Sequence, residues 1–387
     1  MSRINVGIIG MGFIGVSHME AVRRIGSANL VAVTDVNFEL ARKRAEEYGI
    51  PKCYRTIDEL LADPEIAVVH DCTPNHMHLE VNKKIIAAGK HVFSEKPLGC
   101  TSGESSEMLE LLQKNPQIVH GVNFNYRMNP LVQDIKNKIR GGEIGRPRLV
   151  HGSYLQDWLL FDTDYNWRIE PEIGGPSRCI ADIGSHWMDA VQVCTGAKIT
   201  DVCADLQIVI PVRKKAKGQV ETFSLNTNAE YEDKVVHTED YGAVLFKMDN
   251  GVHGVFYVSQ VSAGRKCWLN FEIDGEKSSV YWNQETADQM WMGYRDRNNQ
   301  QVMRNPLLMT PEARQYTYLA AGHPEGWNDA LRNNIYSFYK FIAEGKSCAK
   351  DPHDFATFED GHYIIRLTEA ILKSSKAGSW VKVNEGV

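Results

Sequence analysis

The chain has 387 residues, with 43 Lys and Arg against 49 Asp and Glu, a formal net charge of −6. That length calls for two domains and a large core. A mild negative charge gives no global attraction to nucleic acid or to an anionic membrane. No apolar stretch reaches membrane-spanning length, and the chain enters a strand at once, so no signal peptide is expected. Eight cysteines, at 53, 72, 100, 179, 194, 203, 267 and 348, include no CxxC pair and fall mostly in apolar runs. They read as small hydrophobic residues of a protein kept in a reducing cytoplasm.

The apolar run Ile4–Ile9 predicts a short buried strand. It leads into Gly10-Met11-Gly12-Phe13-Ile14-Gly15, and a helix is predicted from Val16. A lone GxGxxG is a weak signal. Here it stands between a strand and a helix, and Asp35 ends the next apolar run twenty residues after Gly15. Gly10 permits the tight turn, Gly12 lets a pyrophosphate approach the backbone, and Gly15 lets helix pack on strand. The helix N-terminus, opening at Phe13 and Ile14, offers N–H groups and a positive dipole end to phosphates. Asp35 is placed to accept from both ribose hydroxyls and to repel a 2′-phosphate, so NAD is expected over NADP. Arg42 and Lys43, downstream on a helix, read as solvent-exposed.

Strand and helix signals alternate over the first 120 or so residues. Apolar runs at 4–9, 30–35, 66–71, 91–94 and 118–122 are separated by helix-like segments at 14–25, 38–48, 76–88 and 103–113. This beat predicts an α/β Rossmann domain over 1–122, a doubly wound parallel sheet with helices on both faces. Ligands of such sheets bind beyond the carboxyl ends of the strands. Three predicted strand ends carry polar chemistry: Asp35, Asp71-Cys72-Thr73-Pro74-Asn75, and Ser94-Glu95-Lys96-Pro97.

The pattern then changes. An amphipathic segment at 131–139 ends at Gly141-Gly142, a strand follows near 148–155, and a helix spans about 183–194. Strand-like runs succeed one another at 200–211, 222–231, 242–248, 251–259, 266–274 and 278–282. Turn signals such as Asp249-Asn250-Gly251 and Asp274-Gly275-Glu276 divide them. The basic run at 213–218 lies between two of these and reads as a solvated hairpin loop, not a nucleic-acid patch. Helices near 327–344 and 354–374 and a short strand at 380–383 close the chain. The expectation for 123–387 is an α+β domain with a large, mostly antiparallel sheet that offers one face for association.

Two constellations carry chemistry. Lys96 ends the fifth predicted strand, where an ammonium can hold a substrate oxygen and exchange a proton as it becomes a carbonyl. Taken alone, it reads first as an exposed strand-end lysine. The block from Gly174-Gly175-Pro176 to Asp182-Ile183-Gly184-Ser185-His186 opens a helix, with Asp182 and His186 four apart on one face. A carboxylate there can orient an imidazole that relays a proton. The alternatives are an N-capping Asp with a core histidine, or a metal trio of Asp182, His186 and Asp189. The trio lacks a second cluster at ligand spacing, so no metal is expected.

With these blocks in order, the chain resembles the glucose–fructose oxidoreductase / inositol dehydrogenase (Gfo/Idh/MocA) family. The elements that carry the likeness are the glycine fingerprint, Cys72-Thr73-Pro74-Asn75 with His78, Glu95-Lys96-Pro97, and the Asp182…His186 block. The resemblance implies that Lys96, Asp182 and His186 form the catalytic set. It implies that Thr73, Asn75, His78, Glu95 and the Asn125-Tyr126-Arg127 segment line the cofactor, with Tyr126 reaching substrate, and that the chain forms a homo-oligomer, commonly a tetramer. Gly174-Gly175-Pro176 departs from the three glycines of many relatives, which touches loop geometry and not class.

The stretch before the Asp/His helix is aromatic: Tyr154, Trp158, Phe161, Tyr165 and Trp167, then Arg168. Aromatic faces stack on the C–H faces of sugar rings, and they are also ordinary core residues. A second knot, Gly322-His323-Pro324-Glu325-Gly326-Trp327, holds a His and a Glu that packing alone does not explain. Trp158, Trp167, Arg168 and His323 join Lys96, Tyr126, Asp182 and His186 as candidate substrate residues. Both segments resemble those of family members that oxidise pyranose sugars. The resemblance therefore implies an NAD-dependent dehydrogenase of a sugar, glycoside or cyclic polyol, acting on a secondary ring hydroxyl with C3 a candidate. The competing readings are an NAD-dependent redox glycoside hydrolase and a non-catalytic NAD-sensing regulator.

Overall fold

The computed structural model describes residues 3–217 and 230–383. Two compact units emerge: Met1–Met128 with Asn328–Ile365, and Asn129–Trp327 with Arg366–Val387. The return of 328–365 to the first unit goes beyond a linear division at residue 122.

The first unit is built on six parallel strands: β1 (Ile4–Ile9), β2 (Ala28–Thr34), β3 (Lys52–Cys53), β4 (Val68–Asp71), β5 (His91–Ser94) and β6 (His120–Val122). Their spatial order is β3-β2-β1-β4-β5-β6. The order reverses between β1 and β4, the switch point where such sheets bind ligands. Strands covered on both faces read as continuous apolar runs, and Val6, Ile8, Val33, Val69, Val92 and Phe93 are wholly buried. Helices Phe13–Arg23, Phe38–Tyr48, Ile57–Ala62, His78–Ala87 and Ser102–Gln113 connect them. Their starts follow side-chain chemistry: Asn37 accepts from Leu40 N, Thr56 and Glu59 form a capping box, and Thr101 accepts from Glu104 N. Helix Trp327–Ala343 lays Leu331, Ile335 and Phe338 into the core, and Ala356 bridges to Val122 beside β6.

Among the described residues of the second unit nine strands form one sheet: β7 (Pro147–Leu155), β8 (Ile199–Gln207), β11 (Tyr241–Met248), β12 (His253–Ser259), β13 (Trp268–Gly275), β14 (Ser279–Asn283), β15 (Gln289–Gly293), β16 (Gln300–Met303) and β17 (Val381–Lys382). Their spatial order is β16-β15-β14-β13-β7-β12-β11-β8-β17. Within it, only the β7–β12 pair is parallel. One face buries Phe246, Phe256, Phe271 and Trp282 beneath helix Ser185–Thr195, whose Trp187 stacks on Phe256 at 4.5 Å. The opposite face leaves Leu149, Leu245, Val255 and Tyr257 exposed.

A separate pair, β9 (Val212–Ala216) with β10 (Tyr231–Val235), corrects the reading of the basic run. It is strand, not solvated loop, and Arg213 is fully buried. The charge is tolerated inside because Asp240 accepts from its guanidinium at 2.7 Å. The strand expected at 222–231 lies outside the described residues, except for its last two.

Close approach fixes one glycine of this unit. A Cβ on Gly152 in β7 would stand 2.2 Å from the Asn270 carbonyl oxygen and 2.8 Å from the Trp187 indole nitrogen. Gly152→Ala is therefore expected to lower stability by about 2–3 kcal/mol, measured by urea denaturation. An unchanged midpoint would show that the sheet gives way there.

Candidate functional site

In the first unit the glycines behave as a dinucleotide cradle requires. Gly10 adopts φ +92°, and a Cβ on it would meet the Cys72 carbonyl oxygen at 2.6 Å. A Cβ on Gly15 would fall 1.9 Å from the Gly10 oxygen, while Gly12 faces open space. Gly12 is also the N-cap of helix Phe13–Arg23 and brings no capping side chain, and the helix has no acid in its first turn. An anion fits there better than any side chain of the chain itself. Phe13 is exposed and Ile14 half-buried beside this opening.

Asp35 follows β2. Its carboxylate accepts from Met11 N at 2.7 Å and from Asn37 N at 2.8 Å, so it is tied to the glycine loop. Each oxygen keeps a lone pair for a ribose hydroxyl. Arg42, the basic residue downstream, pairs with Glu39 and Glu46 on its own helix. The residues present thus fit NAD.

The ends of β4 and β5 are locked together. Thr73 donates to Asp71 from both its main-chain N (3.1 Å) and its hydroxyl (2.6 Å). Burial pushes the Asp71 carboxyl up, against the pull of His78 and Thr73. His78 is wholly buried, with Nδ1 2.7 Å from the Pro97 oxygen and Nε2 2.8 Å from the Thr73 oxygen. The ring thus stands between the two strand ends, within hydrogen-bond reach of a carbonyl from each. The Lys96–Pro97 peptide is cis, and Lys96 itself is half-buried. Glu95 is turned inward, accepting from Asn123 at 2.6 Å and lying 2.8 Å from His18 Nε2. Asn75 opens a short 3₁₀ turn after β4. Asn125, Tyr126 and Arg127 form another after β6, all buried, with Arg127 3.3 Å from Asp360.

The second unit assembles the other constellation. Asp182 sits on a π-helical turn, Ile180–Gly184, that runs into helix Ser185–Thr195, a distortion common where side chains must be re-aimed. Its carboxylate lies 3.4 Å from Arg168 Nε and accepts from Gln260 Nε2 at 2.9 Å. His186 follows one turn on, nearly buried, its ring 6.4 Å from that of Tyr154. The Arg168 guanidinium lies 4.3 Å over the Trp167 ring. Trp158 donates to Gln156 at 2.9 Å and packs, with Tyr165, on Leu159, Ile169 and Val236.

Arg168 thus lies against both Asp182 and Trp167, and His186 follows Asp182 by four residues. Gln260 completes the group and carried no signal, being one polar residue just past the end of β12. His323 is exposed. Glu325 is a structural acid: fully buried, it accepts from Tyr318 N and Leu319 N at 2.9 and 2.7 Å and so closes its own loop. Among the described residues, the trio whose metal-ligand atoms converge is His151, Glu272 and Asp274 on β7 and β13, not Asp182, His186 and Asp189.

Buried charge holds this segment in place. Glu239 accepts from Ser177 Oγ (2.6 Å) and from the main-chain N of Arg178 and Ile180 (3.0 Å each) at the start of the helical segment. Asp240 accepts from both Arg178 and Arg213, all three side chains fully buried. Burial opposes the Asp240 charge most strongly, but the two guanidinium groups and main-chain donors hold its carboxyl below the ordinary range. Arg213 also donates to the Phe161 and Asp164 oxygens at 2.9 and 3.0 Å, fixing the aromatic stretch.

Residues 4–124 match the family described as "Oxidoreductase family, NAD-binding Rossmann fold", and residues 132–281 match the GFO/IDH/MocA C-terminal domain. The chain belongs to the GFO/IDH/MocA oxidoreductase family. It is 31% identical over 396 residues to levoglucosan dehydrogenase of Pseudarthrobacter phenanthrenivorans, covering 99% of each chain. It is 28% identical over 386 residues to myo-inositol 2-dehydrogenase of Thermotoga maritima, again covering 99% of each. A solved structure of levoglucosan dehydrogenase in complex with NADH and levoglucosan aligns with a TM-score of 0.88 at 28% identity, over 99% of this chain and 100% of that one. The first unit is the family's NAD-binding Rossmann domain.

Asp240→Ala would leave two buried guanidinium groups without their shared carboxylate. The expected loss is about 3–5 kcal/mol, read by chemical denaturation. A loss within experimental error would remove Asp240 as the anchor of the Asp182 segment.

Proposed function

We propose that the chain is an NAD-dependent dehydrogenase that oxidises a secondary ring hydroxyl of a sugar, glycoside or cyclic polyol to a ketone. The C3 hydroxyl of a pyranose is the position that the likeness to sugar-oxidising relatives favours. The observation that carries this reading is the Asp182 carboxylate, fixed by Arg168 and Gln260 one helical turn before His186. Full-length similarity to dehydrogenases of an anhydrosugar and an inositol supports the substrate class.

Bound NAD supplies the hydride acceptor. The chain's own residues supply the acid–base chemistry. Asp182 orients His186, and His186 and Lys96 share removal of the hydroxyl proton, with the Lys96 ammonium holding the substrate oxygen. Trp167 offers a flat face to ring C–H groups, and Arg168 offers donors to ring hydroxyls. Trp158 and Tyr126 are assigned to substrate, and Thr73, Asn75 and Asn125 to the cofactor. The open face of the nine-stranded sheet, with four large apolar residues exposed, is assigned to a second copy of the chain, making a homo-oligomer. Eight free cysteines suit a reducing cytoplasm, and no helix among the described residues is long and apolar enough to cross a membrane.

The test is absorbance at 340 nm with NAD against glucose, methyl glucosides, levoglucosan, aryl glycosides and inositols. NADH growth with one group is expected. Aglycone release without NADH growth would replace this reading with a redox hydrolase. Once a substrate is in hand, Lys96→Ala and His186→Ala should each lower kcat by about 10²-fold or more with NAD binding nearly unchanged. Wild-type turnover in either variant would contradict the assignment.

A further inference from the structure

Four buried side chains of the first unit stand in a line of hydrogen bonds. Glu95 Oε1 lies 2.8 Å from His18 Nε2, His18 Nδ1 lies 2.8 Å from His70 Nδ1, and His70 Nε2 lies 2.6 Å from the Tyr339 hydroxyl. His18, His70 and Tyr339 are fully buried, and Glu95 nearly so. They come from four separate elements: the glycine-loop helix, β4, the end of β5, and helix Trp327–Ala343.

The carboxylate end sets the direction of the first bond. An ionised carboxylate only accepts, so His18 donates from Nε2. Of the two facing Nδ1 atoms one donates and the other accepts, and His70 Nε2 is hydrogen-bonded to the Tyr339 hydroxyl. Linked bonds of this kind strengthen one another in a low-dielectric interior. Burial also keeps the His70 ring from charging. For Glu95, burial is the largest influence and favours the neutral acid. His18, Lys96 and Asn123 outweigh it and bring the carboxyl down to about 2. Other groups facing this line are Asp71 and Cys72 at the end of β4, both of which feel the Glu95 charge, with His78 acting on Asp71. Asn334 donates to Asn123 at 3.1 Å, and Phe93 packs on both imidazoles.

Glu95 is not an isolated buried acid. It precedes Lys96 in the chain, accepts from the Lys96 main-chain N at 3.2 Å, and its charge acts on the ammonium. We propose that His18 is a positioning residue for Lys96, acting through Glu95, with His70 and Tyr339 holding the His18 ring from its other nitrogen. Because His18 follows Gly15 on the same helix, the line also joins the cofactor-binding loop to the Lys96 strand end. Its value for turnover rests on the assignment of Lys96 as a catalytic residue.

The experiment labels the whole protein near neutral pH with limiting acetic anhydride and reads each lysine by peptide mass spectrometry. Glu95 holds the Lys96 main-chain N, so loosening Glu95 should free the Lys96 side chain and speed its reaction. Acetylation of Lys96 relative to exposed Lys43 is expected to rise measurably in His18→Ala and, to a smaller extent, in Tyr339→Phe. His18→Gln, which can offer an amide N–H to Glu95, should restore the slower rate. Lys90 is the internal control, since its buried ammonium donates to the Asp63 and Ile66 oxygens and reacts only if the unit opens. An unchanged Lys96 rate in both His18→Ala and Tyr339→Phe would overturn the proposal, as would a rise shared equally by Lys90. The labelling needs no substrate. A protein that oxidises no sugar yet shows the Lys96 response would sink the dehydrogenase reading and leave this coupling standing.

Discussion

Helix Phe13–Arg23 meets the end of β1 so closely that position 15 has no room for a Cβ, which would fall 1.9 Å from the Gly10 carbonyl oxygen. That contact sets the first unit's geometry. It aims the helix N-terminus at the switch point of the sheet, leaves Gly12 open, and puts Met11 N where the Asp35 carboxylate can reach it. It also places His18 inside, against Glu95 and β4. A larger residue at 15 would push the helix outward and disturb all of these at once. The anion site and the packing are one construction.

The second unit uses buried charge for the same end. Two guanidinium groups and a carboxylate are costly to bury singly and tolerable only together. Their grouping at Asp240 joins the start of the helical segment, through Arg178, to the aromatic stretch, through Arg213. Asp182 then sits on a π-helical turn whose start is held by Glu239 and whose continuation is pinned by Trp187 against Phe256. The carboxylate there lies between Arg168 and Gln260. Acid–base chemistry gains from such fixed placement.

The parallel sheet was legible because strands buried on both faces are bare apolar runs, and because glycine spacing and Asp35 have a joint physical reason. β3, at two residues, is too short to show any period. The strands Gln289–Gly293 and Gln300–Met303 are too short to show a period, although Met290 and Met292 alternate into the core. Arg213 misled because a run of charges suggests water, and its partner Asp240 lies 27 residues away. Resemblance grouped His78 and Glu95 with cofactor-lining residues. Their partners, the Thr73 and Pro97 carbonyls, His18 and Asn123, appear only once the strand ends are assembled. Local chemistry was readable; which buried group answers which was not.

The most direct test of the account is equilibrium titration of the protein with NADH and with NADPH, followed by calorimetry at one ionic strength. Asp35, fixed by two main-chain donors at the ribose end of the cradle, should make NADH bind about 10²-fold more tightly, since a 2′-phosphate would face a like charge. Equal affinity for the two, or no binding of either, would contradict the dinucleotide site on which the functional reading stands.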